Sequence, residues 1–215
     1  SPLDSESVQL GYSRFDHWFR VGIDLGELNE WMTLEIDNPR LGDVTLFAPT
    51  PDGKYREASA GVRRPFWERN ISGLSPAFPF RVAKNQRHTF YFRVKNFGSL
   101  RFDLRVATLS EHNRRANYSL AYALLVAGAL LVLGLYNFCI FLHLRQASYF
   151  WIALFLLTCT IWQMAASGTA NMFLWPNAPL WSKYALLVTG ATALLTGTFM
   201  ANALLDARSI APTFG

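Results

Sequence analysis

Four residues near the N-terminal end have the types that a polar ligand site needs: Trp18, Arg20, Glu35 and Asn38. They fall on two predicted strands that are neighbours in the chain. With Glu35 facing Arg20, they make a pocket in which the Trp18 ring packs against sugar C–H groups while charged and amide groups fix hydroxyls. The plainer alternative is an Arg–Glu pair and a core-edge tryptophan that hold the domain together. A second cluster, Arg63, Arg64, Trp67 and Arg69, crowds the stretch "GVRRPFWERN". Binding residues often sit on loops carried by a rigid scaffold, so this stretch suits an anionic or carbohydrate ligand. Solvated arginines, with Arg69 tying the loop down, are the alternative.

Other reactive side chains are scattered. His17, His88, His112 and His143 share no metal-ligand spacing. Cys139 and Cys159 both lie in the apolar half, so the polar half has no disulfide and no thiolate site. Both read as packing residues. Ser167 beside Gly168 has no histidine placed to act as its base, because His143 is at the opposite end of its predicted helix hairpin. The expectation is a non-enzymatic chain without metal or cofactor. A formal charge of +5 raises the question of nucleic acid. The basic residues alternate with acids and no helix gathers them into a stripe, so no nucleic-acid partner is expected.

The elements that must hold these residues divide at about residue 114. Beyond residue 117 the only Lys, Arg, Asp or Glu residues are Arg145, Lys183, Asp206 and Arg208. Before it, short stretches alternate. Phe19, Val21 and Ile23 share one face, with Trp18 and Arg20 on the other; Met32, Leu34 and Ile36 go together; Leu100, Phe102, Leu104 and Val106 face in. "NPRLGD" and "TPDGK" supply turn chemistry, Asp-Gly because it tolerates positive φ. Short strands at this spacing predict a jelly-roll-like antiparallel β-sandwich over residues 1–113. Residues 61–80 read as a long loop over one sheet, and the charged stretch up to Arg115 reads as strand-like.

After a joint at residues 114–118 come three apolar spans, 119–142, 149–168 and 183–205. Each can cross a hydrocarbon core of about 30 Å at about 1.5 Å per residue. Ala193, Gly197 and Ala201 stand four apart and predict a helix-packing stripe. Asn137 and Gln163 predict interhelical hydrogen bonds, and Trp175 and Trp181 suit a membrane interface. Charges beside the spans, counted alone, put the sandwich in the cytoplasm, by a margin of Arg114 and Arg115. The chain starts at Ser1 and stops at "IAPTFG", and reads as a piece of a longer protein.

The order of several blocks resembles the bacterial 7TM receptors with diverse intracellular signalling modules. "LGYSRFDHWFRVGI" is similar to that family's opening strand, and "WMTLEIDNPRLGDVTLFAPTPDGKY" to its next hairpin. "PFWERNISG…FPFRV" resembles its Arg-bearing loop and Phe-Pro strand, and "TFYFRVKNFGSLRFDLRVA" its closing hairpin. "LLVLGLYNFCIFLHLRQASYFWIALFLL" is similar to its first two membrane helices, with Tyr136, Asn137 and Tyr149 in place. The resemblance implies a type-2 extracellular sensor domain, periplasmic in a Gram-negative inner membrane, against the charge count. It also implies seven helices, of which three are present, and an output module such as a histidine kinase or diguanylate cyclase beyond them. In a bacterial chain the Asn-x-Ser sequences at Asn70 and Asn117 mean little.

The expected function is therefore the N-terminal part of a signalling receptor. Its sandwich senses a carbohydrate-like ligand through some of Trp18, Arg20, Glu35, Asn38, Arg63, Trp67 and Arg69. Its expected partners are that ligand, the lipid bilayer, and a second copy or other sensor proteins. The alternatives are a membrane-anchored binding or assembly module with no signalling output, and an accessory subunit of a transporter or enzyme.

Overall fold

The computed structural model describes residues 7–12, 15–24, 30–50, 54–69, 71, 73–81, 88–96 and 99–205. The chain divides into two compact units, Ser1–Leu120 with Asn171–Lys183, and Ala121–Ala170 with Tyr184–Gly215. The expected Asp-Gly turn, the Asn70 sequence and Arg208 lie outside the described residues.

In the first unit the strands are β1 (Ser7–Tyr12), β2 (His17–Ile23), β3 (Trp31–Asp37), β4 (Asp43–Pro49), β5 (Tyr55–Ala60), β6 (Ala77–Arg81), β7 (His88–Lys95) and β8 (Ser99–Thr108). They form two antiparallel sheets, ordered β1-β8-β3-β6 and β2-β7-β4-β5. This interleaved order is that of a jelly roll. Alternation along each strand sends one set of side chains inward. Leu34, Ile36, Val44, Leu46, Phe78, Phe92, Val94, Leu100 and Phe102 are fully buried between the sheets. Phe19 stacks on Phe92 at 4.9 Å and meets Phe102 edge-on at 5.4 Å. Each such side chain stabilises the sandwich by about 1.5–3 kcal/mol on burial.

Several sequence expectations change here. The stretch 61–80 is not all loop: it holds a short 3-10 turn at Phe66–Glu68 and then β6, an edge strand. Pro79 is tolerated because an edge strand needs no ladder bond on its outer side. The blocks resembling hairpins, β3 with β4 and β7 with β8, each join one sheet to the other. Only β4 and β5, among the described strands, are consecutive and paired. Val106, expected inward, is exposed where β8 runs on towards the next element.

That element is helix α1 (Leu109–Leu144), which starts at the residue after β8. Residues 110–118 are therefore helical, not strand and joint. The Thr108 hydroxyl accepts the Glu111 backbone N–H at 3.3 Å and so caps one of the orphan donors of the first turn.

The second unit contains most of α1, α2 (Ala147–Ser167) and most of α4 (Pro179–Leu205), with the short helix α3 (Thr169–Phe173) between α2 and α4 in the chain. These three helices are long and apolar enough to span a membrane. Arg145 and Gln146 alone join α1 to α2, with Arg145 in the left-handed region at φ 57°. Thr158 and Thr196 exchange a hydrogen bond at 2.9 Å between α2 and α4, and Trp151 stacks on Phe199 at 4.7 Å. Gly197 lies against the Phe155 ring and Ala193 is buried, but Ala201 is exposed. The buried α4 positions are Ala185, Ala193 and Thr196. Gln163 Nε2 donates to the Ala123 carbonyl across α2 and α1 at 3.4 Å. Asn137, expected to do likewise, bonds within its own helix to the Leu133 carbonyl at 2.8 Å.

Candidate ligand-binding face

The outer face of the β2-β7-β4-β5 sheet is built by the residues that alternate with the core. Register places Trp18 opposite Arg93, and Arg93 opposite Thr45. One pleat along, Arg20, Tyr91, Phe47 and Glu57 form a row across all four strands. Trp18 leans over β7 and stacks on Phe47 at 5.4 Å, with the Arg93 guanidinium 5.9 Å from its ring. Tyr55 meets Tyr91 edge-on at 5.7 Å. The result is an aromatic strip of Trp18, Phe47, Tyr91 and Tyr55 that crosses the sheet. Trp18 is 59% exposed and Tyr55 49%, unusual for rings with so much apolar area. At one margin the half-buried Ser59 hydroxyl donates to that of the buried Thr45 at 3.2 Å.

The other sheet offers a different outer face. Glu35 projects there from β3, and His112 from the first turn of α1 closes over it, Nδ1 to Oε2 at 3.2 Å. The His112 side chain is 2% exposed and that of Glu35 13%. Thr33, one pleat away, is fully buried. Asp37 pairs with Arg105 at 3.1 Å. This face is structural at its centre.

The four residues grouped from the sequence are therefore split. Trp18 and Arg20 share the open face; Glu35 and Asn38 belong to β3 and the turn after it, in the opposite sheet. Arg20 and Glu35 do not face each other. Asn38 is a turn residue: its Oδ1 accepts the Arg40 N–H at 2.9 Å and its Nδ2 donates to the Arg101 carbonyl at 2.7 Å.

The arginine-bearing loop also has internal duties. Arg64 pairs with Asp43 at 3.0 Å. Arg69 donates through Nη1 to the Gly73 and Leu74 carbonyls at 2.7 and 3.0 Å and lies over the Phe66 ring at 4.6 Å. Burial pushes its guanidinium down to about 10. Phe66 N–H donates to the Pro176 carbonyl at 3.1 Å, and Trp67 Nε1 to Asn177 Oδ1 at 3.0 Å. The loop thus holds the connector at 171–183, which belongs to the same unit. That connector is ordered by Asn171, whose Oδ1 accepts from Trp175 Nε1 and Ser182 Oγ, both at 2.8 Å. Arg63 stands exposed on the loop.

His112 is the residue that sequence reading missed. The available signal was the helix start, Thr108-Leu-Ser-Glu111, which has the spacing of a capping box. A helix beginning there turns His112 back onto the sheet from which it has just emerged.

An eight-stranded jelly roll followed by three helices long and apolar enough to span a membrane defines a membrane protein with a β-sandwich N-terminal domain. The family profile described as 7TMR-DISM extracellular 2 matches residues 1–108, and the one described as 7TM diverse intracellular signalling matches residues 119–212. The chain belongs to the 7TMR-DISM receptors, and its N-terminal domain is extracellular. No curated protein matches it. The count of flanking charges, which favoured a cytoplasmic sandwich, is overturned; its margin was Arg114 and Arg115, and both pair with Glu111 at 2.8 Å.

Proposed function

We propose that this chain is the sensing and first membrane part of a bacterial inner-membrane receptor. Its sandwich is periplasmic and binds a carbohydrate-like ligand on the outer face of the β2-β7-β4-β5 sheet. Further helices and a cytoplasmic output module of kinase or cyclase type complete the receptor, which works as a homodimer or with other sensor proteins. The observation that carries the binding reading is the aromatic strip headed by Trp18, exposed on one sheet while His112 occupies the centre of the other outer face. Ring faces pack on sugar C–H groups, and the neighbouring Arg20 and Glu57 supply donors and acceptors for hydroxyls. A ligand changes the receptor only by preferring one of its states.

Two experiments test this. The purified chain in lipid nanodiscs is applied to a glycan array, alone and as Trp18→Ala. Glycan binding that the variant loses supports the reading, and a blank array refutes the ligand class. Reading the coding sequence past codon 215 tests the rest. Four further apolar spans and a kinase or cyclase module are expected; a stop codon within a few residues refutes the receptor output.

A further inference from the structure

The open face carries more positive charge than a neutral sugar requires. Arg20 and Trp18 are two residues apart on β2, so they point the same way about 7 Å apart along the strand. Arg93 stands across from Trp18 on β7, about 5 Å away. The two guanidinium groups therefore flank the exposed indole along both directions of the sheet. Among the described residues neither has a carboxylate partner. The nearby acids are already used: Asp16 pairs with Lys95 at 3.4 Å and Asp43 with Arg64 at 3.0 Å. Glu57 stands on the far edge strand β5, at the other end of the row from Arg20.

Two guanidinium groups without a carboxylate partner among the described residues, that of Arg93 lying 5.9 Å from the Trp18 ring, are the donors that match a carboxylate carried on a pyranose ring. Arginine binds carboxylate through two parallel N–H bonds, and its plane also tolerates stacking beside an indole. Resting on the proposed carbohydrate reading, we infer that the ligand is an acidic sugar chain of the uronate class. Its ring stacks on Trp18, and its carboxylates are taken by Arg20 and Arg93. Tyr91, Phe47 and Tyr55 extend the platform for the following rings towards Glu57, which accepts from hydroxyls.

The test uses the full chain in nanodiscs. Oligogalacturonate, oligomannuronate and glucuronate-containing oligosaccharides are titrated calorimetrically beside their carboxyl-reduced counterparts, which keep the backbone and lose the charge. At least about a tenfold preference for an acidic form is expected, from hydrogen bonds to a charged group, and it shrinks as salt screens the exposed charges. Arg20→Gln, at an exposed position outside the core, should remove most of that preference by weakening the acidic form far more than the reduced one. Trp18→Ala should weaken both forms. Equal affinity for acidic and reduced forms, or an Arg20→Gln variant that keeps the full preference, overturns the inference and leaves the carbohydrate reading standing. Binding of no sugar, acidic or reduced, on this panel and on the array overturns both.

Discussion

Replacing His112 by alanine tests the junction between β8 and α1. The ring is buried against the Glu35 carboxylate. Three effects combine. A hydrogen bond to a charged acceptor at 3.2 Å is lost, worth about 1.5–3 kcal/mol when the carboxylate is left enclosed. Removing the imidazole leaves a cavity, costing about 2 kcal/mol if scaled down from the ~3–5 kcal/mol typical of a buried Phe→Ala change. Against these, Nε2 has no partner among the described residues, so its loss returns about 1 kcal/mol. The net expectation is a loss of about 3 kcal/mol. His112→Phe separates the parts, because it fills the space and still strands Glu35; about half the loss should remain. Denaturant unfolding in detergent, followed by the fluorescence of Trp18, Trp31 and Trp67, gives the stability change. Hydrogen exchange of residues 109–116 shows whether the first turns of α1 detach. A double-mutant cycle with Glu35→Ala should give a coupling of about 1 kcal/mol or more. A His112→Ala loss under about 0.5 kcal/mol, the size of an ordinary surface substitution, with unchanged exchange, would refute the reasoning.

Three further outcomes are expected. Gly61 has φ +144°, and a Cβ there would run into the Gly42 carbonyl, so Gly61→Ala should cost about 2 kcal/mol or more in the same unfolding assay. Thr158→Val removes the hydroxyl bonded to Thr196; since such bonds between membrane helices average about 0.6 kcal/mol, thermal unfolding in detergent should show a small loss that Thr196→Val does not add to. Trp67→Phe keeps the ring area but not the bond to Asn177, and hydrogen exchange at residues 171–178 should rise several-fold with no change in the sandwich core.

The inward faces of this fold were legible because strand alternation is local. Phe19, Leu34, Ile36 and Phe102 are assigned by period alone, and the apolar spans by length alone. Which sheet a strand joins is decided by packing between distant parts of the chain. That is why Trp18 and Glu35, on consecutive strands, part company, while Trp18 and Phe47 meet. The aromatic strip draws on β2, β4, β5 and β7, and no single stretch of sequence contains it. His112 was hidden for another reason: the alternation of β8 continues by eye into "TLSEH", where the capping signal of Thr108 and Glu111 outranks it. Trp67 and Arg69 illustrate a third case. Their types suit a ligand, yet carbonyls and an amide elsewhere in the chain already take Arg69 Nη1 and Trp67 Nε1.

The two-residue link at Arg145 and Gln146 also bears on how the protein is made. With so little chain between them, α1 and α2 leave the ribosome as one helical hairpin, and the polar edge of α2 meets its partner while α4 is still being synthesised. Gln163 Nε2 finds the Ala123 carbonyl within that hairpin, so this amide N–H need not wait in lipid for a later helix. The pair can therefore enter the bilayer as a finished insertion unit, with Thr158 held ready for the arrival of Thr196.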